Sequence, residues 1–163
     1  MPTRLTLVAL FAAGRTTALV YTGGTEQRGP QNVNGGHNLL GRVIVRTIAE
    51  KLSDAIAMPV LPYTPNNASA TLPGTVGFTP ELLTGVLERL NERSIATGFK
   101  TVLLMGDPAP TGPRGSAPNR NAPPRKANGI TDIARKASKE LDEKLFEMKV
   151  DDAVKQIQGV TGH

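Results

Sequence analysis

The chain has 163 residues, a formal net charge of +5 and no cysteine. This length allows one domain with a sizeable core. The lack of cysteine excludes disulfides, thiolate metal sites and thiol catalysis, and no apolar run approaches the ~20 residues of a membrane span.

The N-terminal segment has two interpretations. Arg4 followed by the apolar residues 5–13 is similar to a short signal peptide. The basic region is weak and a strand pattern follows closely, so we favour an amphipathic first helix with Leu5, Val8 and Ala12 on one face. We therefore expect a cytoplasmic protein, with a periplasmic location as the alternative.

A glycine-rich loop lies between the first predicted strand and the next helix. Residues 16–21 are β-branched and apolar, which is typical of a buried strand. The loop covers residues 22–38, and its last residue, Asn38, is the expected N-cap of a helix that ends near Ser53. In open α/β sheets, ligands bind where a strand passes to a helix.

Strand and helix patterns then alternate. Residues 55–61 form a second strand pattern, interrupted by Pro59. Thr79, Pro80 and Glu81 form a strong helix start, and residues 100–105 form the clearest strand pattern. This alternation predicts an α/β fold in α/β/α layers with a mainly parallel sheet.

Residues 108–127 interrupt this pattern with six prolines, four basic residues and no acid. The segment is interpreted as a solvated insertion within a single domain of residues 1–163. The alternative is a basic arm for an anionic partner, but the other basic residues are spread out, which disfavours nucleic-acid binding. Helices are expected at 130–148 and 151–158.

Three polar residues could carry chemistry. Glu26 and His37 share the glycine-rich loop, and Asp107 follows the strand pattern 100–105. If the two strands are parallel neighbours, all three side chains could converge. Two carboxylates and an imidazole suit a divalent ion such as Zn²⁺ or Mn²⁺. In the alternative interpretation, Glu26 caps backbone amides and His37 is an ordinary surface residue.

Several motifs resemble the creatininase (creatinine amidohydrolase) family, in the family's order. Residues 24–30, Gly-Thr-Glu-Gln-Arg-Gly-Pro, resemble its Glu-Gln-His-Gly-Pro-His segment. Further similar stretches are Val-Leu-Pro-Tyr at 60–63, Pro-Gly-Thr at 73–75, Thr-Pro-Glu at 79–81 and Gly-Phe-Lys at 98–100.

The resemblance implies a three-layer α/β/α fold and a two-metal centre of zinc or manganese. It also implies hydrolysis of cyclic amides or related C–N bonds, and a homohexamer. Glu26 falls on a family ligand, and Thr25, Gln27 and Arg28 are assigned to substrate contact.

The chain departs from the family pattern at its ligands. Arg28 replaces a histidine ligand, His37 stands at the usual position of an aspartate, and Pro108 and Pro110 fall on or near later ligands. Two hypotheses follow: a metal-dependent amidohydrolase with a degraded site, or an inactive member acting as a structural or partner subunit. The expected fold is truncated at its C-terminal side, which predicts oligomerisation or a partner that completes it.

Overall fold

Helices and strands alternate in the computed structural model, which describes residues 7–29, 33–66, 69–106 and 138–162. The elements in chain order are α1 (Leu7–Ala12), β1 (Thr17–Thr22), α2 (Gly36–Leu52), β2 (Ala55–Ala57), α3 (Pro80–Ala96), β3 (Thr101–Gly106) and α4 (Lys139–Thr161). The α/β fold predicted from the sequence is confirmed.

The described strands form a parallel sheet in the order β2-β1-β3. Thr17 pairs with Ala55 on one side and with Thr101 on the other, and the β1–β3 register continues to Thr22 opposite Gly106. The carboxyl ends of β1 and β3 therefore lie side by side. The second strand is shorter than the expected 55–61.

Both faces of β1 are buried, as expected for a central parallel strand. Leu19 and Tyr21 point to the face that α2 covers, while Ala18 and Val20 alternate to the other; α4 packs against α2 and adds to the same core. The main core lies on this first face. Its buried residues come from β1, α2, β2 and α4: Leu19, Tyr21, Ile44, Val45, Ile48, Ala49, Leu52, Ala55, Val150 and Ile157.

Helix α2 begins earlier than the sequence pattern predicts. Its N-cap is Gly35, whose φ of 75° lies in the left-handed region that favours glycine. The predicted N-cap, Asn38, is wrong: it lies inside the helix, and its side chain binds the preceding loop instead. The outer side of the expected apolar face, Leu39 and Val43, is exposed.

Helix α3 starts as predicted. The Thr79 hydroxyl accepts a hydrogen bond from the Leu82 amide at 3.2 Å, and Pro80 occupies the first turn. Only part of its predicted apolar stripe is buried: Leu83 packs inside, whereas Leu82 and Leu90 are exposed.

Helix α4 is continuous from Lys139 to Thr161, so the expected break between two helices near residue 150 is wrong. Val150, at the expected break, is buried in the core. Lys51 Nζ lies 2.6 Å from Asp151 Oδ1 and links α2 to α4. The predicted insertion at 108–127 and the expected helical residues up to 137 lie outside the described part of the chain.

An aromatic contact joins helix α1 to the residue that follows α3 and Gly98. Phe11 meets Phe99 edge to face, with ring centroids 4.9 Å apart. Val8, which the expected amphipathic face placed inward, is 77% exposed. Among the described residues, no helix combines the length and the apolar character that a membrane span requires.

The contact between Tyr21 and Gly41 gives a test of the core. A Cβ on Gly41 would lie 2.6 Å from the Tyr21 ring, so we expect Gly41→Ala to lower the free energy of unfolding by about 1–3 kcal/mol. Gly159→Ala is the matched control, because outside its own helix backbone no atom in the described part of the chain lies within 4 Å of the added Cβ. We expect the control to be neutral or stabilising by up to about 1 kcal/mol. Urea denaturation measures both, and equal effects would contradict the packing argument.

Candidate functional site

The loop after β1 is held in place by neutral side chains. The Gly24 amide donates to Asn38 Oδ1 at 2.9 Å, and the Thr64 hydroxyl donates to the Gly23 carbonyl at 2.8 Å. A Cβ on Gly23 would lie 2.0 Å from Asn38 Oδ1, so the close approach of loop and helix requires glycine there. The loop is therefore fixed against the first turn of α2.

A second set of bonds ties the loop to residues that come later in the chain. The Thr25 hydroxyl donates to the Pro62 carbonyl at 2.9 Å, and Thr25 forms an isolated antiparallel bridge with Val76. The Gln27 amide donates to the Thr75 hydroxyl at 3.1 Å. These contacts orient the intervening residue, Glu26.

Glu26 is the centre of a charged cluster, and its side chain is only 12% exposed. Its Oε1 lies 2.8 Å from Arg28 Nε and 2.7 Å from Arg28 Nη2. Its Oε2 accepts a hydrogen bond from the hydroxyl of Ser69, a fully buried residue. His37 Nε2 lies 3.8 Å from Oε1. Both carboxylate oxygens thus already have partners.

The pKa of Glu26 is lowered from its ordinary value of 4.5. Burial acts in the opposite direction and is the largest single effect. The hydrogen bonds from Ser69 and Arg28, together with the positive charge of Arg28 and the influence of His37, outweigh it. The carboxylate is therefore ionised at neutral pH.

A cavity of about 190 Å³ lies beside this cluster. Arg28 and His37 line its polar side, and Val33 and Leu40 line its apolar side at the start of α2. The cavity could take a small ligand against the guanidinium and the imidazole. In the described part of the chain, no three His, Asp or Glu side chains lie close enough together to hold a metal ion.

Comparison with known proteins agrees with the motifs. The sequence model of a family described as creatininase, creatinine amidohydrolase, matches residues 4–107, which is more than half of the chain. The chain belongs to the creatininase family. No curated protein sequence matches it.

Solved creatininases share the fold. A crystal structure of creatinine amidohydrolase is matched with a TM-score of 0.56 at 19% identity, over 99% of this chain and 53% of that one. A creatininase in an Mn form and a mutant creatininase of the Zn–Zn type each match with a TM-score of 0.55 at the same identity. The chain spans about half the length of these creatininases, and at this identity the likeness concerns the fold alone.

The structure brings together part of the predicted site. Glu26, Arg28 and His37 are neighbours, whereas Asp107 lies outside the described residues, so its convergence with them stays a prediction. The Thr25 hydroxyl is engaged inside the loop. The Gln27 side-chain oxygen is buried and accepts no hydrogen bond from the described residues. Substrate contact by Thr25, Gln27 and Arg28 also stays a prediction.

Two residues at the site were missed by sequence reasoning. Ser69 is separated from Glu26 by 43 residues and lies in a polar loop that carries no recognised motif. The sequence pattern assigns Asn38 to a helix cap, because Asn before an apolar run is the ordinary capping signal, and so misses its bond to the Gly24 amide. No local pattern indicates either contact.

The lowered pKa of Glu26 predicts a pH-dependent contribution to stability. Its folded pKa is below 4.5, so the contribution is complete above pH 4.5 and is lost as the pH falls through the folded pKa. At pH 7 we expect Glu26→Gln to lower the free energy of unfolding by about 1–3 kcal/mol, because Arg28 and Ser69 lose a charged acceptor.

Urea denaturation between pH 3 and pH 7, at roughly half-unit steps across that titration range, measures the difference. Glu50→Gln is the control, because Glu50 is an exposed partner of Arg46 on the same helix as His37. A gap between wild type and Glu26→Gln that stays constant down to pH 3 would contradict the ionised, bonded carboxylate.

Proposed function

We propose that this chain is a non-hydrolytic member of the creatininase family that acts as a structural or partner subunit. The observation that supports the proposal is the state of Glu26, the residue that falls on a family metal ligand. Arg28 binds one of its oxygens and Ser69 binds the other. A carboxylate must have a free oxygen to bind a metal ion, and here the guanidinium of Arg28 and the hydroxyl of Ser69 already bind the oxygens of Glu26.

The charge of Arg28 opposes a metal ion at this place. A guanidinium remains charged at any physiological pH. A divalent ion on Glu26 Oε1 would lie within roughly 4 Å of it, and at an effective dielectric of about 20 the repulsion is on the order of 8 kcal/mol. The described residues near Glu26 supply His37 as a second ligand but no third. They do not fit a two-metal centre.

The alternative is a hydrolase that acts on a cyclic amide with one metal ion. It is favoured by the distance of 3.8 Å between Glu26 and His37, which is close to what two ligands of one ion require. It needs Asp107 as a third ligand and a displaced Arg28. The creatininases in Mn and Zn–Zn forms make zinc and manganese the ions to test.

Metal loading separates the two functions. After incubation with Zn²⁺ or Mn²⁺ and desalting, we expect fewer than about 0.1 equivalents on the wild-type chain, because Arg28 competes for Glu26. We expect Arg28→His to raise Zn²⁺ retention at least about tenfold, since it removes the cation and adds a neutral nitrogen ligand. Elemental analysis by mass spectrometry measures the retained metal.

Arg42→His is the matched control, because it adds a histidine at an exposed position on α2 away from Glu26. It should leave retention unchanged. About one equivalent of metal on the wild type, lost in Glu26→Gln, would overturn the proposal and favour the single-metal hydrolase.

A further inference from the structure

One side of α3 forms an open apolar groove. Leu82 and Leu90 are exposed along it, Val86 lies between them at helical spacing, and the groove encloses about 460 Å³. Leu83, on the neighbouring side of the helix, is buried against the body of the chain. We propose that this groove is a self-association surface on which α3 of a second copy of this chain packs antiparallel.

Gly85 is suited to a close helix contact. It lies in the middle of α3, where glycine costs about 1 kcal/mol relative to alanine. Outside the backbone of its own helix, no atom of the described residues lies within 4 Å of the position that its Cβ would take, so no described contact requires glycine there. A small residue between Leu82 and Val86 lets a second helix approach this side of α3 closely.

The charges along the groove select the partner and its direction. Glu81 lies at one end, and Arg89 and Arg93 lie at the other. A parallel second copy would place like charges together, whereas an antiparallel copy pairs opposite charges. Of these two orientations, only the antiparallel one brings the acidic end of the groove to the basic end of the second copy.

The helix geometry fits this pairing. With the two-fold axis at Val86, Leu82 lies opposite Leu90 of the second copy. Glu81 then falls between Arg89 and Arg93 of the second copy, about 3 Å along the axis from each, given a rise of 1.5 Å per residue. Arg89 already pairs with Glu92 on its own helix, but this pair is exposed and worth little.

The inference does not depend on the proposed function. The groove is built from α3 residues, whereas the charged cluster is built from the loop after β1 and the start of α2. Metal retention and self-association can therefore succeed or fail separately.

Sedimentation velocity of the full chain tests the groove. We expect the wild type to sediment as a dimer, or as an assembly containing it, at micromolar concentration. Leu82→Lys should raise the dissociation constant at least about 100-fold, because two leucines leave the interface and each new cation falls beside Arg89 and Arg93 of the second copy. Leu145→Lys on α4 is the matched control, since Leu145 is 52% exposed and Leu82 is 53% exposed; it should leave the assembly intact.

A charge exchange tests the direction. Glu81→Lys alone and the double change Arg89→Glu with Arg93→Glu should each weaken self-association, and mixing the two variants should restore a mixed dimer. Circular dichroism verifies that each variant is folded, and the leucine pair decides the question if Glu81→Lys weakens the start of α3. A monomeric wild type, an assembly that Leu82→Lys leaves intact, or folded variants that do not associate on mixing would overturn the proposal.

Discussion

The contact between Tyr21 and Gly41 determines how α2 lies on the central strand. Tyr21 is the penultimate residue of β1 and is almost fully buried, and its ring occupies the space that a side chain at Gly41 would need. Helix and strand can approach closely at this point. The first turn of α2 is thereby brought to the loop after β1, where Asn38 binds the Gly24 amide and His37 approaches Glu26.

The Glu26 cluster balances the cost of burying a carboxylate. Removing an anion from water is unfavourable unless charges and hydrogen bonds offset it. Here the guanidinium of Arg28 and the hydroxyl of Ser69 provide those bonds, and the resulting pKa is lower than usual despite burial. An arginine two residues from the carboxylate therefore meets this need within the loop itself.

Local signals explain which parts of the structure were predictable. The start of α3 was predicted because Thr79 and Pro80 act on their own helix, and β1 was predicted because a buried parallel strand is an apolar run. Asn38 was misassigned because its side chain acts across space on a loop rather than on its own helix end. The Ser69 contact spans 43 residues and depends on the folded arrangement, so no sequence pattern contains it.

Fold and chemistry are carried by different residues in this chain. The sheet and its core retain the creatininase fold at 19% identity, because apolar residues of similar volume can replace one another while the pattern is kept. The loop is held by neutral bonds from Asn38, Thr64 and Thr75, none of which requires a metal. The bonds that hold the loop thus come from other residues than Arg28 and Ser69, which hold the charge of Glu26. Membership of the family fixes the architecture, and the electrostatics around Glu26 decide the chemistry.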